Sequence, residues 1–65
     1  MILGLDISTS ITGYTILDNG GNIVVCDHID LRKEKNFFQK CSAVEGRLAA
    51  IRNDYFIEHI YVEQS

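Results

Sequence analysis

Two carboxylates and a cluster of hydroxyls stand where this chain could do chemistry. Asp6 closes the apolar run Ile2-Leu3-Gly4-Leu5 and is followed by Ile7-Ser8-Thr9-Ser10, while Glu63 and Gln64 close a β-rich run near the other end of the sequence. The first run reads as a strand buried on both faces of a covered sheet. A carboxylate there needs compensation, which isolated buried charges obtain from a partner or a metal. Two carboxylates held close together repel, and such a pair is stable when a proton or a cation is shared between them. Magnesium suits the arrangement, with manganese as a substitute: it is hard, prefers oxygen, and takes one or two protein carboxylates together with water and substrate phosphate. Two such ions about 4 Å apart can activate a water and stabilise the leaving oxygen of a phosphodiester. The plainer reading of the same residues has Asp6 capping a turn through Ser8 or Thr9, and Glu63 marking where the chain surfaces. Ser8, Thr9 and Ser10 have no His or Lys placed to serve as a base, so they are not read as nucleophiles.

The elements that must position the two acids follow from periodicity. A first strand is expected at Met1–Ser8 and a second at Ile11–Asp18, opening with Thr12-Gly13-Tyr14; Gly13 so near the strand start suggests a bulge or a backbone passing close by. Asp18-Asn19-Gly20-Gly21-Asn22 then reads as a hairpin turn, because Asn-Gly readily takes positive φ angles. The third strand runs from Ile23 to about Leu31, with Ile23, Val25, Ile29 and Leu31 on one face and Asp27 interrupting them. Arg32–Lys35 is a polar connector, after which Asn36 and Gln39 resemble a capping box that starts a helix. Phe37, Cys41, Val44, Leu48 and Ile51 step by four, three, four and three, an apolar stripe of about four turns facing the sheet. Gly46 costs about 1 kcal/mol relative to alanine in that helix, either for a close approach or as a tolerated weakness. Asn53-Asp54 ends the helix, and a fourth strand spans Ile57–Val62.

Strand, strand, strand, helix, strand is the expected order. In a meander the third strand runs parallel to the first, so a right-handed crossover through the helix can set the fourth strand parallel to the first. If those two strands are neighbours, Asp6 and Glu63 come together at one edge of the sheet from opposite ends of the sequence.

Composition narrows the classes. Sixty-five residues make at most one small domain, and 46% hydrophobic with 23% charged residues is ordinary for a packed chain rather than a disordered one. No run approaches the length of about 18 apolar residues that crosses a bilayer, and Met1-Ile2-Leu3 lacks a basic signal-peptide start, so a cytoplasmic chain is expected. Cys26 and Cys41 fit no metal spacing and read as two reduced, buried thiols. His28 and His59 have no paired ligand at metal spacing, and Tyr14, Tyr55 and Tyr61 read as packing residues. A net charge of −3 and a pI near 5.1 give no overall electrostatic footprint for nucleic acid, so a DNA contact needs metal ions, a local patch or further chain.

MILGLDISTSITGY, followed after a hairpin and one helix by IYVEQS, resembles the RuvC-like Holliday-junction resolvases of the RNase H-like superfamily, especially the shorter phage and prophage versions. The resemblance spans the chain. It rests on an apolar strand ending in Asp6, on Thr12-Gly13-Tyr14 opening the second strand, and on Glu63-Gln64 at the end of the fourth. It implies that residues 1–65 are the N-terminal part of one α/β RNase H-like nuclease domain: a three-stranded antiparallel meander, a crossover helix and a fourth strand parallel to the first. It further implies a magnesium-dependent endodeoxyribonuclease acting on branched DNA, homodimeric when complete, with Asp6 and Glu63 as its first two catalytic metal ligands. Resolvases of this type bring two more acidic residues from a helix well downstream, together with a fifth strand, further helices and a dimer surface. Half a site, little cleavage and a bare edge on the fourth strand are therefore expected of these 65 residues.

Two other classes compete. LGLDISTS also resembles the first phosphate loop of sugar kinases and other actin-like ATPases, although those usually place glycine near the Asp so that backbone amides reach phosphate. A non-catalytic interaction module that pairs its open sheet with a partner is the third reading.

Overall fold

The computed structural model describes residues 1–64. Its elements are β1 (Ile2–Ile7), β2 (Ile11–Leu17), β3 (Ile23–Asp30), α1 (Phe37–Asp54) and β4 (His59–Gln64). They form an α/β unit with one mixed sheet of order β3-β2-β1-β4, in which β1 to β3 are an antiparallel meander and β4 lies parallel to β1. Each strand lies within two residues of its expected bounds, the largest shift being β4, which starts at His59 rather than Ile57.

Alternation and register sort the side chains into two faces. Leu3 and Leu5 share one face with their partners Ile16 and Tyr14 and, one strand further, with Ile29 and Leu31; these residues and Ile51 of α1 are the buried core. Leu3 and Ile16 are fully buried, each worth about 1.5–3 kcal/mol relative to exposure. The opposite face carries Ile2, Gly4 and Asp6 and has no element over it among the described residues. β1 is therefore covered on one face rather than two, and Asp6 is exposed rather than buried.

The hairpin turn corrects one detail. Only Gly21 takes a positive φ, +83°, not Asn19 or Gly20. Asp18 Oδ1 accepts from the backbone N–H groups of Gly20 and Asn22, both at 2.9 Å, and Asp18 and Asn22 close the loop through their backbones at 3.0 Å. This Asx-type closure lets the turn form in the right-handed region and leaves the left-handed residue to glycine. The ladder shifts register between Ile16 and Leu17, so Ile23 falls outside the face of Val25, Ile29 and Leu31 and is exposed.

The helix begins as expected: Asn36 Oδ1 accepts from Gln39 N at 2.9 Å. The return bond of the box goes elsewhere, since Gln39 Oε1 accepts from Lys35 N at 3.0 Å. The apolar stripe is only partly buried. Ile51 packs in the core and Val44 and Leu48 against it, but Phe37 is 74% exposed and Cys41 is exposed. The first turns of α1 stand off the sheet across an apolar groove of about 540 Å³, so side chains on the inner stripe there meet space rather than core. Cys26 is also exposed, on the open face of β3, which overturns the reading of two buried thiols. Gly46 has no neighbour within 4 Å of a built Cβ, so it is a tolerated weakness, not a close approach.

Candidate metal centre

Asp6 is the penultimate residue of β1 and Glu63 that of β4, and the parallel ladder pairs them directly. Register partners in adjacent strands point to the same face about 4.8 Å apart. Both side chains therefore rise from the uncovered face at the C-terminal ends of two parallel strands, and both are exposed. They border a shallow depression of about 420 Å³ that Gly4, Gly13, Thr15 and Tyr61 also line.

Gly13 is the partner of Asp6 in β2. A Cβ built there would lie 3.9 Å from the Asp6 Cβ, an ordinary contact. No bulge occurs at this point; the glycine instead leaves the space beside Asp6 free of side chain.

The hydroxyl-rich loop is closed without Asp6. Thr12, fully buried, donates its hydroxyl to the Ser8 carbonyl at 3.0 Å and accepts from Ser8 N at 3.4 Å, while Ser10 N donates to Ser8 Oγ at 3.3 Å. Leu31 N donates to the Ser10 carbonyl, and Lys40 Nζ to the Thr9 carbonyl, both at 2.8 Å. The turn-capping role expected of Asp6 is filled by Thr12 and Ser8, four residues apart. Lys40 tying α1 to this loop had no sequence signal beyond its helical position.

Three of the other carboxylates among the described residues stand against a cationic group. Asp30 takes a bidentate guanidinium from Arg32 (3.0 and 2.7 Å), Asp27 faces Arg47 and His28 at 3.6 Å, and Glu58 meets the Met1 amine at 3.0 Å. The hydrogen bonds from Arg32 hold the Asp30 carboxyl well below the usual range, and those from the Asn22 and Gly20 amides lower Asp18. Asp6 and Glu63 have no such partner among the described residues. Their oxygens fit the protein share of a magnesium shell, which takes one or two carboxylates and keeps several waters. No three His, Cys, Asp or Glu side chains converge on one point among the described residues, so the pair is a partial donor set.

Of the other residues singled out, Tyr14 is buried beneath Arg47, whose guanidinium carbon lies 5.7 Å from the ring centroid. Tyr61 is 65% exposed, against the expectation that it packs, because β4 is an edge strand and this residue sits on the uncovered face beside Glu63. His28 and His59 are exposed. No helix among the described residues is long and apolar enough to cross a membrane.

No protein-family model, curated protein or solved structure matches this chain.

Proposed function

We propose that this chain is the Asp6 and Glu63 half of a magnesium-dependent, structure-selective DNA endonuclease of the RuvC-like, RNase H-like kind. The observation that carries the reading is the register pairing of these two carboxylates on the open face at the ends of parallel strands. A magnesium ion held there would supply a Lewis acid and a water of lowered pKa for phosphodiester hydrolysis. Asp6 and Glu63 would hold it, Gly13 keeps the approach clear, and the Thr12–Ser8 closure fixes the strand end that carries Asp6. Two further carboxylates, from a downstream segment, would complete the shell, and a homodimer acting on branched DNA would be the working form, in the cytoplasm.

The phosphate-loop alternative is less well supported. Ile7-Ser8-Thr9-Ser10 contains no glycine, and the amides of Ser8 and Ser10 are already engaged within the loop.

The test uses a polypeptide in which this segment is continued by its downstream coding sequence, assayed on a four-way junction and on linear duplex with magnesium. Cleavage confined to the junction, lost in Asp6→Asn and Glu63→Gln while junction binding is kept, is expected. Loss of binding together with cutting would remove Asp6 from a metal role, and nucleotide hydrolysis without nuclease activity would transfer the site to the ATPase class.

A further inference from the structure

Four of the six lysines and arginines of this acidic chain fall between Arg32 and Lys40, with a single acid, Glu34, among them. The fold sets this stretch at the carboxylate end of the sheet. β3 runs parallel to β1, so it releases the chain at the end where Asp6 and Glu63 stand. Two bonds then tie the stretch to the loop that follows Asp6: Leu31 N donates to the Ser10 carbonyl and Lys40 Nζ to the Thr9 carbonyl, both at 2.8 Å. From Asp6 to Ser10 is four residues and from Leu31 to Lys33 two, so chain reach and one hydrogen bond keep Lys33 within about 27 Å of Asp6. One turn of duplex is longer, at about 34 Å.

The four cations differ in what they already hold. Arg32 is engaged by Asp30 in a bidentate pair, and Lys40 by the Thr9 carbonyl. Lys33 and Lys35 are exposed and stand in no ion pair among the described residues. A solvated, unpaired ammonium is a point charge open to a phosphate. Its place here is fixed by bonds within Asp6–Lys40 and does not depend on the outer edge of β4 or on the uncovered face.

We propose that Lys33 and Lys35 form a phosphate-contacting rim that holds the backbone of a DNA duplex while the Asp6–Glu63 site acts on it. The rim rests on the nuclease reading above and supplies the contact that reading requires. A chain of net charge −3 repels a polyanion over most of its surface, so its DNA contact has to be local. Phosphate contacts set position and orientation but carry no sequence information. The rim therefore serves a junction arm and a linear duplex alike, and preference for branched DNA is set elsewhere.

The test is fluorescence anisotropy on the continued polypeptide of the cleavage assay, with a labelled four-way junction and a labelled linear duplex in magnesium-free buffer, so that no strand is cut. Lys33→Gln with Lys35→Gln is expected to weaken both complexes about tenfold at about 0.1 M salt and to lower the slope of log K against log salt by about two, roughly 0.9 per lost contact. Lys33→Arg with Lys35→Arg keeps affinity within about twofold, because either cation neutralises a phosphate. Arg52→Gln removes a charge at the far end of α1, which runs back toward the Met1 side of the sheet, and leaves affinity and slope unchanged. Circular dichroism and manganese broadening at Asp6 and Glu63 should be the same in every variant. Binding and cutting that the lysine pair does not alter overturn the rim and leave the nuclease reading standing. Equal loss per charge in Arg52→Gln also overturns it, by showing an effect of net charge. A parent that binds no DNA overturns both, and lysine-dependent binding of phosphatidylserine vesicles in its place gives the patch to a membrane surface.

Discussion

Asp6 and Glu63 are direct partners in the parallel β1–β4 ladder although 56 residues of sequence lie between them. Both stand on the face that α1 leaves open. The pairing follows from topology: a meander returns its third strand parallel to the first, and a helical crossover then lays the fourth beside the first. What the site can hold follows in turn from the absence of a cationic side chain against either carboxylate among the described residues.

Gly13 separates fold from site. Valine at this position suits an extended, half-covered strand, and its Cβ meets nothing closer than the 3.9 Å contact with Asp6. Relieving the glycine's conformational cost is worth about 0.5–1 kcal/mol, so Gly13→Val should unfold at no lower denaturant concentration than the parent. Its methyl groups crowd the face that Asp6 occupies, so metal affinity should fall. Chemical denaturation and a manganese titration of the same sample measure the two effects.

Thr12 closes the loop that carries the strand end. Thr12→Val is nearly isosteric, but it removes a buried hydroxyl that serves both the N–H and the C=O of Ser8. A cost of about 1–2 kcal/mol is expected, large against the roughly 3–10 kcal/mol that a chain of this length commands. Urea unfolding should show a lower midpoint with an unchanged slope, and amide exchange should quicken first at Ser8 and Ser10.

Asp18 and Asp30 should stay ionised below the ordinary aspartate range. Hydrogen bonds depress both carboxyls in the fold, those of Arg32 at Asp30 and those of the Asn22 and Gly20 amides at Asp18. A depressed folded value means that the contribution is fully present above the unfolded aspartate pKa of about 3.9 and is lost as pH falls from there through the folded value. Carboxyl chemical shifts followed by NMR should show both residues still ionised at a pH where an aspartate of the unfolded chain has protonated. Arg32→Ala should return Asp30 toward the ordinary range and leave Asp18 unmoved. Added salt should shrink the effect at Asp30, whose partner Arg32 is a cation, more than at Asp18, which is held by neutral amides.

Much of the architecture was legible because the signals were local or periodic. Alternation in ILGLD and ITGYTIL, the Asn36–Gln39 start and the order of elements led to the sheet and to the juxtaposition of Asp6 with Glu63. What was not legible depended on how far elements stand apart. The stripe from Phe37 to Ile51 has the right period, yet only its C-terminal part reaches the core, because the first turns of α1 stand off the sheet. Tyr61 and Cys26 were expected to pack because aromatic and thiol side chains usually do; both lie on a face that nothing described here covers. The fall of Asp27 on the helix face looked like an interruption of a core stripe, and Arg47 reaching to it from α1 accounts for its place. The turn at Asp18–Asn22 was right in position and wrong in detail because the aspartate side chain, not Asn-Gly geometry, closes it.

The most direct test of the central claim is a titration of the isotope-labelled chain with manganese, read as paramagnetic broadening residue by residue, with magnesium as competitor. The account predicts that broadening begins at Asp6 and Glu63, spreads to Gly13 and Tyr61, reverses with magnesium and disappears in Asp6→Asn. Broadening that centres instead on Asp18, Asp27 or Asp30, or that survives Asp6→Asn unchanged, would contradict a metal centre at the paired strand ends.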